Sequence, residues 1–128
     1  MAGLSLKFLG FVQAGFPSPA SDYSEEDINL EKILKPKSSM FVFRAANDSM
    51  IGANIPPDAI LIVDKALRPV NNSIVIAVVD GEFTVKHLVQ DFKGYTLVPA
   101  NPKYKPLRIT EGMDFSVWGV VTYVIHEP

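Results

Sequence analysis

The sequence predicts a mostly β fold, a compact antiparallel domain preceded by a flexible N-terminal arm. From Met40 onward the chain consists of short apolar runs rich in Val, Ile and Phe, separated by turn-forming residues. One of those turns, Asp80-Gly81, suits the two-residue connection of a β-hairpin. Ahead of them, residues 1–14 fit neither helical nor strand periodicity.

In chain order, the arm spaces Gly3, Phe8, Gly10 and Phe11 without a regular period. Gly15-Phe16-Pro17-Ser18-Pro19-Ala20 follows, and its two prolines, each restricting the residue before it, hold the stretch extended and exposed. Ser24 with Asp27 three residues later resembles a helix-starting cap. Leu30, Ile33 and Leu34 share a helical face and Pro36 closes the segment, so at most two short helical turns are expected. The β runs are residues 40–45, 60–63, 74–79, 83–89, 95–98 and 115–125. Turn signals lie between them at Pro56-Pro57-Asp58, Asn71-Asn72, Asp80-Gly81, Lys93-Gly94 and Asn101-Pro102. A two-residue hairpin turn needs positive φ at both positions, which Asp-Gly tolerates, so the strands flanking Asp80-Gly81 should pair antiparallel. Residues 1–39 are thus expected to form the arm and residues 40–128 the folded domain.

A chain of 128 residues is one domain at roughly 150 residues per domain. Hydrophobic residues at 48% with charged residues at 20% describe a globular protein rather than a disordered one. A net charge of −2 supplies no general electrostatic footprint for nucleic acid. The absence of cysteine excludes disulfides, thiolate metal sites and cysteine nucleophiles, and permits a cytoplasmic location. The two histidines, His87 and His126, suit no metal-ligand spacing, so neither metal nor cofactor is expected. No stretch approaches the roughly 20 apolar residues of a membrane span. The first twelve residues carry a single Lys7 and lack the apolar block of a signal peptide.

Several residues read as ordinary surface or core. Glu25-Glu26 and Glu111 with Asp114 look like solvated carboxylates, and His87 like a strand residue at a sheet edge. Phe41, Phe43, Phe83 and Tyr95 could stack bases, but without clustered Lys and Arg core packing is the better account.

Ser49 and Lys86 stand apart. Ser49, in Asn47-Asp48-Ser49-Met50, follows a strand and precedes Gly52, a sharp exit able to present a hydroxyl and adjacent N–H groups to a ligand. Lys86 is a cation inside the otherwise apolar Phe83-Thr84-Val85-Lys86-His87-Leu88. Plainer roles exist for both: a turn or cap residue for Ser49, a charge that blunts an edge strand for Lys86. As a pair they are chemically coherent, because a lysine desolvated among apolar groups favours its neutral form and a neutral amine can take the proton of a serine hydroxyl.

Four stretches carry a family resemblance: Val12-Gln13-Ala14-Gly15-Phe16-Pro17-Ser18-Pro19-Ala20, Asn47-Asp48-Ser49-Met50-Ile51, Ile60-Leu61-Ile62-Val63-Asp64, and residues 74–86. In that order, and with Ser49 and Lys86 separated by 37 positions, the chain from about residue 12 to residue 124 resembles the UmuD/LexA family of self-cleaving serine-lysine peptidases. The resemblance implies a LexA C-terminal-like β domain with Ser49 as nucleophile and Lys86 as its general base. It implies Ala14-Gly15 as the scissile bond, and the backbone N–H groups of Ser49 and Asp48 as oxyanion donors. It also implies stimulation by a RecA filament on single-stranded DNA. The trimmed product is implied to be a homodimer serving a UmuC-type Y-family translesion polymerase in the SOS response to DNA damage. Only 14 residues precede the cut, too few for a repressor's helix-turn-helix, so no direct sequence-specific DNA binding is expected, and no membrane association. Two departures from the family pattern stand out. Asn47 replaces a usual Gly, which a left-handed Asn would accommodate, and Asn72-Ser73 replaces a usual Gly-Asp in a turn. The rival readings are a dimeric binding module that keeps the dyad as a relic, and a signal-peptidase-like protease acting on other proteins.

Overall fold

The computed structural model describes residues 5–12, 14–15 and 27–128. The chain divides into two compact units, Met1–Lys37 and Ser38–Pro128. In the first, strand β1 (Ser5–Leu6) pairs antiparallel with β2 (Ile28–Asn29), and helix α1 (Leu30–Leu34) follows directly. The strand β1 corrects the expectation of an arm without regular structure, since a two-residue bridge is held by backbone groups and needs no apolar period. The helix cap is also corrected. Asn29 performs it, its side chain accepting the Glu31 N–H at 2.9 Å, whereas Ser24 lies outside the described residues. Lys35 closes α1 in a left-handed conformation, directly before Pro36.

The second unit is a seven-stranded antiparallel sheet. Its strands are β3 (Met40–Arg44), β4 (Ile60–Asp64), β5 (Ile74–Val79), β6 (Glu82–Asp91), β7 (Gly94–Val98), β8 (Leu107–Arg108) and β9 (Phe115–Ile125), in the spatial order β3-β4-β9-β5-β6-β7-β8. The mostly β, antiparallel fold is thus as expected, with only the two-residue β8 and a 3₁₀ turn at Ile51–Ala53 unanticipated. Asp80 and Gly81 both hold positive φ, 49° and 84°, and join β5 to β6 as a hairpin. Asn72 takes a left-handed turn position with φ 71°.

The last strand lies at the centre of the sheet. Its C-terminal half pairs with β4 and its N-terminal half with β5, the two pairings meeting at Val120. Each ladder carries a register shift, at Ile62/Val63 and at Ile76/Ala77, and such irregularities bend a sheet. Gly119 sits at this bend, where an added Cβ would come within 2.7 Å of Val63 Cγ1 and 3.2 Å of the Asp64 carbonyl oxygen.

Strand β5 is buried on both faces, which is why residues 74–79 read as an unbroken apolar run. Ile76 joins a core with Ala45, Met50, Ile55, Ala59, Leu61 and Val63, while Val75 and Ala77 pack with Leu88 and Leu97. Two expectations are revised. His87 pairs with Ile74 on one side and Val98 on the other, so it lies inside the sheet rather than at its edge. Among the aromatics, Phe43 packs on the core, but Phe41 and Phe83 are 44% and 57% exposed, and Tyr95 is also exposed. Phe41 and Phe83 instead form a surface cluster around Trp118, whose ring centre lies 5.2 Å from that of Phe41 and 5.0 Å from that of Phe43.

Because nothing larger than a hydrogen fits at the bend of β9, Gly119→Ala should destabilise the domain by about 1–3 kcal/mol, the usual penalty of overpacking. Urea unfolding against the unsubstituted chain measures this.

Candidate active site

Leaving β3, the chain is first tied to the neighbouring loop, with the Ala45 N–H donating to Ala59 O at 3.0 Å and the Asp58 N–H to Ala45 O at 2.7 Å. It then turns through residues 47–50, with Met50 1% exposed in the core and Ser49 equally buried. A second segment, residues 100–104, holds this turn from the far side. The Ala100 N–H donates to Ser49 O at 2.9 Å and the Gly52 N–H to Ala100 O at 2.7 Å. Asn101 Nδ2 donates to Asp48 O at 2.9 Å, and the Tyr104 hydroxyl to the Asp48 carboxylate at 2.6 Å. Ala100 comes so close that a Cβ on Gly52 would meet its carbonyl oxygen at 2.5 Å. Glycine at position 52 is therefore required by a close backbone approach.

Lys86 comes from β6, opposite Val75 of β5, with Thr84 two residues earlier opposite Ala77. Residues two apart on a strand share a face, and here the Lys86 ammonium gathers three acceptors. Nζ donates to Ser49 Oγ at 3.0 Å, to Thr84 Oγ1 at 2.9 Å and to Val85 O at 3.1 Å. Burial lowers the Lys86 pKa from its ordinary value by penalising the charged form. A neutral amine keeps two N–H donors and gains a lone pair. Thr84 and Val85 can occupy the two donors, which leaves the lone pair for the Ser49 hydroxyl. Thr84 is a site residue the sequence reading missed, and its position two residues before a lysine in an apolar strand was the available signal.

The plainer role for Lys86 fails on this geometry. The first half of β6 pairs only with β5, since β7 joins from His87 onward, yet the Lys86 side chain turns to Ser49 rather than guarding that free edge. Beside Ser49 lies a cavity of about 100 Å³, lined by Ala45, Ala46, Asn47, Phe43, Phe83 and Thr84 among others. Its volume is about that of three liquid waters, which suits a small side chain.

Asn47 departs from expectation. The described non-glycine residues with positive φ are Lys35, Asn54, Asp58, Asn72 and Asp80, so Asn47 does not use left-handed backbone. Its side chain acts instead, Oδ1 accepting the Ser49 N–H at 3.0 Å. Of the expected site residues, Ser49, Lys86 and Asp48 come together in the second unit. Ala14 and Gly15 lie in the first, both exposed, with open space around Gly15. Among the described residues no group of three or more His, Asp or Glu could hold a metal ion, and no helix is long and apolar enough to cross a membrane.

The family profile described as Peptidase S24-like matches residues 7–122. This chain belongs to the S24-like peptidase family. It is 45% identical to the protein SamA of Salmonella typhimurium strain LT2 over 116 residues, covering 89% of this chain and 79% of SamA. To the protein ImpA of Salmonella typhimurium it is 40% identical over 117 residues, covering 89% of this chain and 78% of ImpA. The LexA repressor of Carboxydothermus hydrogenoformans is 40% identical over 108 residues, which are 83% of this chain and 53% of that repressor. The mostly β, antiparallel fold agrees with membership of the S24-like family.

The half-buried lysine has a consequence for stability. Its folded pKa lies below the value near 10.4 of an unfolded lysine, so between the two the unfolded chain binds more protons and folding stability rises with pH. Below the folded pKa the full penalty for the buried charge is present. In Lys86→Met this rise should vanish, so the wild type should gain on the variant as pH climbs from 7 toward 10.5. Urea unfolding of both chains across that range measures the difference.

Proposed function

We propose that this S24-like peptidase cleaves itself between Ala14 and Gly15, with Ser49 as nucleophile and Lys86 as general base. The observation that carries the reading is the Lys86 Nζ held 3.0 Å from Ser49 Oγ, with two further acceptors for its protons. Neutral Lys86 takes the Ser49 proton as Oγ attacks the Ala14 carbonyl carbon. The oxyanion of the tetrahedral intermediate is received by the backbone N–H groups of Ser49 and Asp48, donors whose orientation is set before the reaction. Lys86, now an ammonium, returns the proton to the Gly15 nitrogen as the peptide bond breaks. Water, deprotonated by the same amine, then attacks the Ala14 ester and frees residues 1–14. The small cavity at Ser49 favours a substrate with a small side chain, and alanine meets that requirement. Gly15 lets the chain approach closely and adds no bulk.

The similarity to SamA and ImpA supports placing this activity in the cytoplasmic SOS response to DNA damage. In that setting a RecA filament on single-stranded DNA stimulates the cut. The chain beginning at Gly15 then forms a homodimer that serves a UmuC-type Y-family translesion polymerase. The proposed division into a removable arm, residues 1–39, and a peptidase domain, residues 40–128, follows from this reading.

Mass spectrometry of the purified chain after alkaline incubation tests activity and bond position together. Ser49→Ala and Lys86→Ala should each lower the first-order rate by at least about 10³-fold while the domain stays folded, because nucleophile and base act as a unit. Normal cutting by a folded Lys86→Ala chain would remove lysine from the mechanism. A wild-type chain that never cuts would favour the binding module.

Gly15→Val should block cleavage without altering the unfolding transition, and a fragment still beginning at residue 15 would show that close approach is not required. In the wild type, the rate should rise with pH to a plateau as Lys86 loses its proton. The midpoint should lie below the ordinary lysine value because burial lowers it. Time courses from pH 7 to 10.5 read this midpoint, and a flat profile would exclude lysine deprotonation as the controlling step.

A further inference from the structure

We propose that the Asn47 side chain occupies the oxyanion site of the resting peptidase and that the scissile carbonyl must displace it, so that Asn47 sets the basal cleavage rate. The inference rests on the reading of Ser49 as the nucleophile. The Ser49 N–H is the backbone donor of the attacking residue, and it is already used: Asn47 Oδ1 accepts it at 3.0 Å. That oxygen belongs to a carboxamide, chemically the same acceptor as the peptide carbonyl of a substrate. Asn47 also lines the cavity beside Ser49, so the contact is made on the substrate side of the nucleophile.

Apart from the local Ile51 N–H to Asp48 O bond at 3.2 Å, the backbone and Asp48 side-chain bonds of this turn have a different character. The Ser49 and Asp48 carbonyls and the Asp48 carboxylate are engaged from residues 100–104, by partners that hold the loop in place. The Asn47 side chain is instead exposed and bonds locally, two residues along the chain. On rotating into solvent it leaves the Ser49 N–H free, and water then donates to Oδ1 in its place. Release exchanges one hydrogen bond for another, which limits the restraint to about three- to tenfold in rate.

The test compares Asn47→Ala, Asn47→Gly and Asn47→Asp with the wild type in the full chain. First-order self-cleavage is followed by mass spectrometry on the alkaline plateau, where Lys86 is neutral in every chain. Asn47→Ala and Asn47→Gly should cut about three- to tenfold faster, with the pH midpoint unchanged because the base is untouched. Asn47→Asp keeps the acceptor oxygen and adds a negative charge beside the forming oxyanion, so it should cut more slowly than the wild type. The Ser49 amide proton, read by NMR in a Ser49-intact, Lys86→Ala background that does not cut, should exchange faster once Asn47 is removed.

A residue needed only to shape the turn gives the opposite order, with Asn47→Asp close to wild type and Asn47→Ala slower. That order, or equal rates in all four chains, overturns the inference while leaving the peptidase reading intact. Absence of cleavage in every chain, wild type included, overturns both.

Discussion

A half-buried ammonium between three oxygen atoms is the constraint on which the site of this molecule depends. Lys86 projects opposite Val75, and its Nζ meets Ser49 Oγ, Thr84 Oγ1 and Val85 O within 2.9–3.1 Å. Taking a charge partly out of water is unfavourable, and three acceptors offset that cost in the charged state. When the proton leaves, the same acceptors hold the remaining two hydrogens and orient the lone pair. A partly desolvated lysine is thus a side chain whose burial is unfavourable when charged and whose protonation state can change within reach of a hydroxyl. Stability and chemistry pull on this residue in opposite directions.

Such a contact needs two segments 37 positions apart held to within hydrogen-bond tolerance. The sheet supplies one side, because β6 is held by β5 over residues 82–87 and by β7 from His87 onward, and β5 is buried on both faces. The other side is a turn that would be loose if it relied on its own residues. Its rigidity is borrowed from residues 100–104, through two backbone bonds at Ala100 and the side chains of Asn101 and Tyr104. Met50 seats the turn in the core from below. The central placement of β9, bent at Gly119, joins β4 to β5 and so carries the two sides in one framework.

The resting arrangement is also restrained. Ser49 is buried, and its amide is already bonded to Asn47. Under the proposed self-cleavage, both features would oppose reaction without dismantling the site. A hydroxyl in this setting gives foreign proteins little access, while a covalently attached segment has a high effective concentration.

The sequence by itself determined the β architecture of residues 40–128 and the position of most strands, because a strand buried on one or both faces leaves its period in the chain. The unbroken run in β5 and the Asp80-Gly81 hairpin are the clearest cases. It also singled out Ser49 and Lys86, since a cation in an apolar strand and a serine at a sharp strand exit are both locally anomalous. What it could not supply were relations without a local period. The β1–β2 bridge rests on four residues, the helix cap was misplaced because several polar residues could serve, and His87 looked like an edge residue because strand order is not written in strand pattern. Only the tertiary structure brought Thr84 to the lysine, set residues 100–104 against the turn that carries Ser49, and turned Asn47 onto the Ser49 amide. These depend on distances between side chains and backbone atoms that folding alone establishes, and a one-dimensional pattern records which residues are buried far better than which atoms meet.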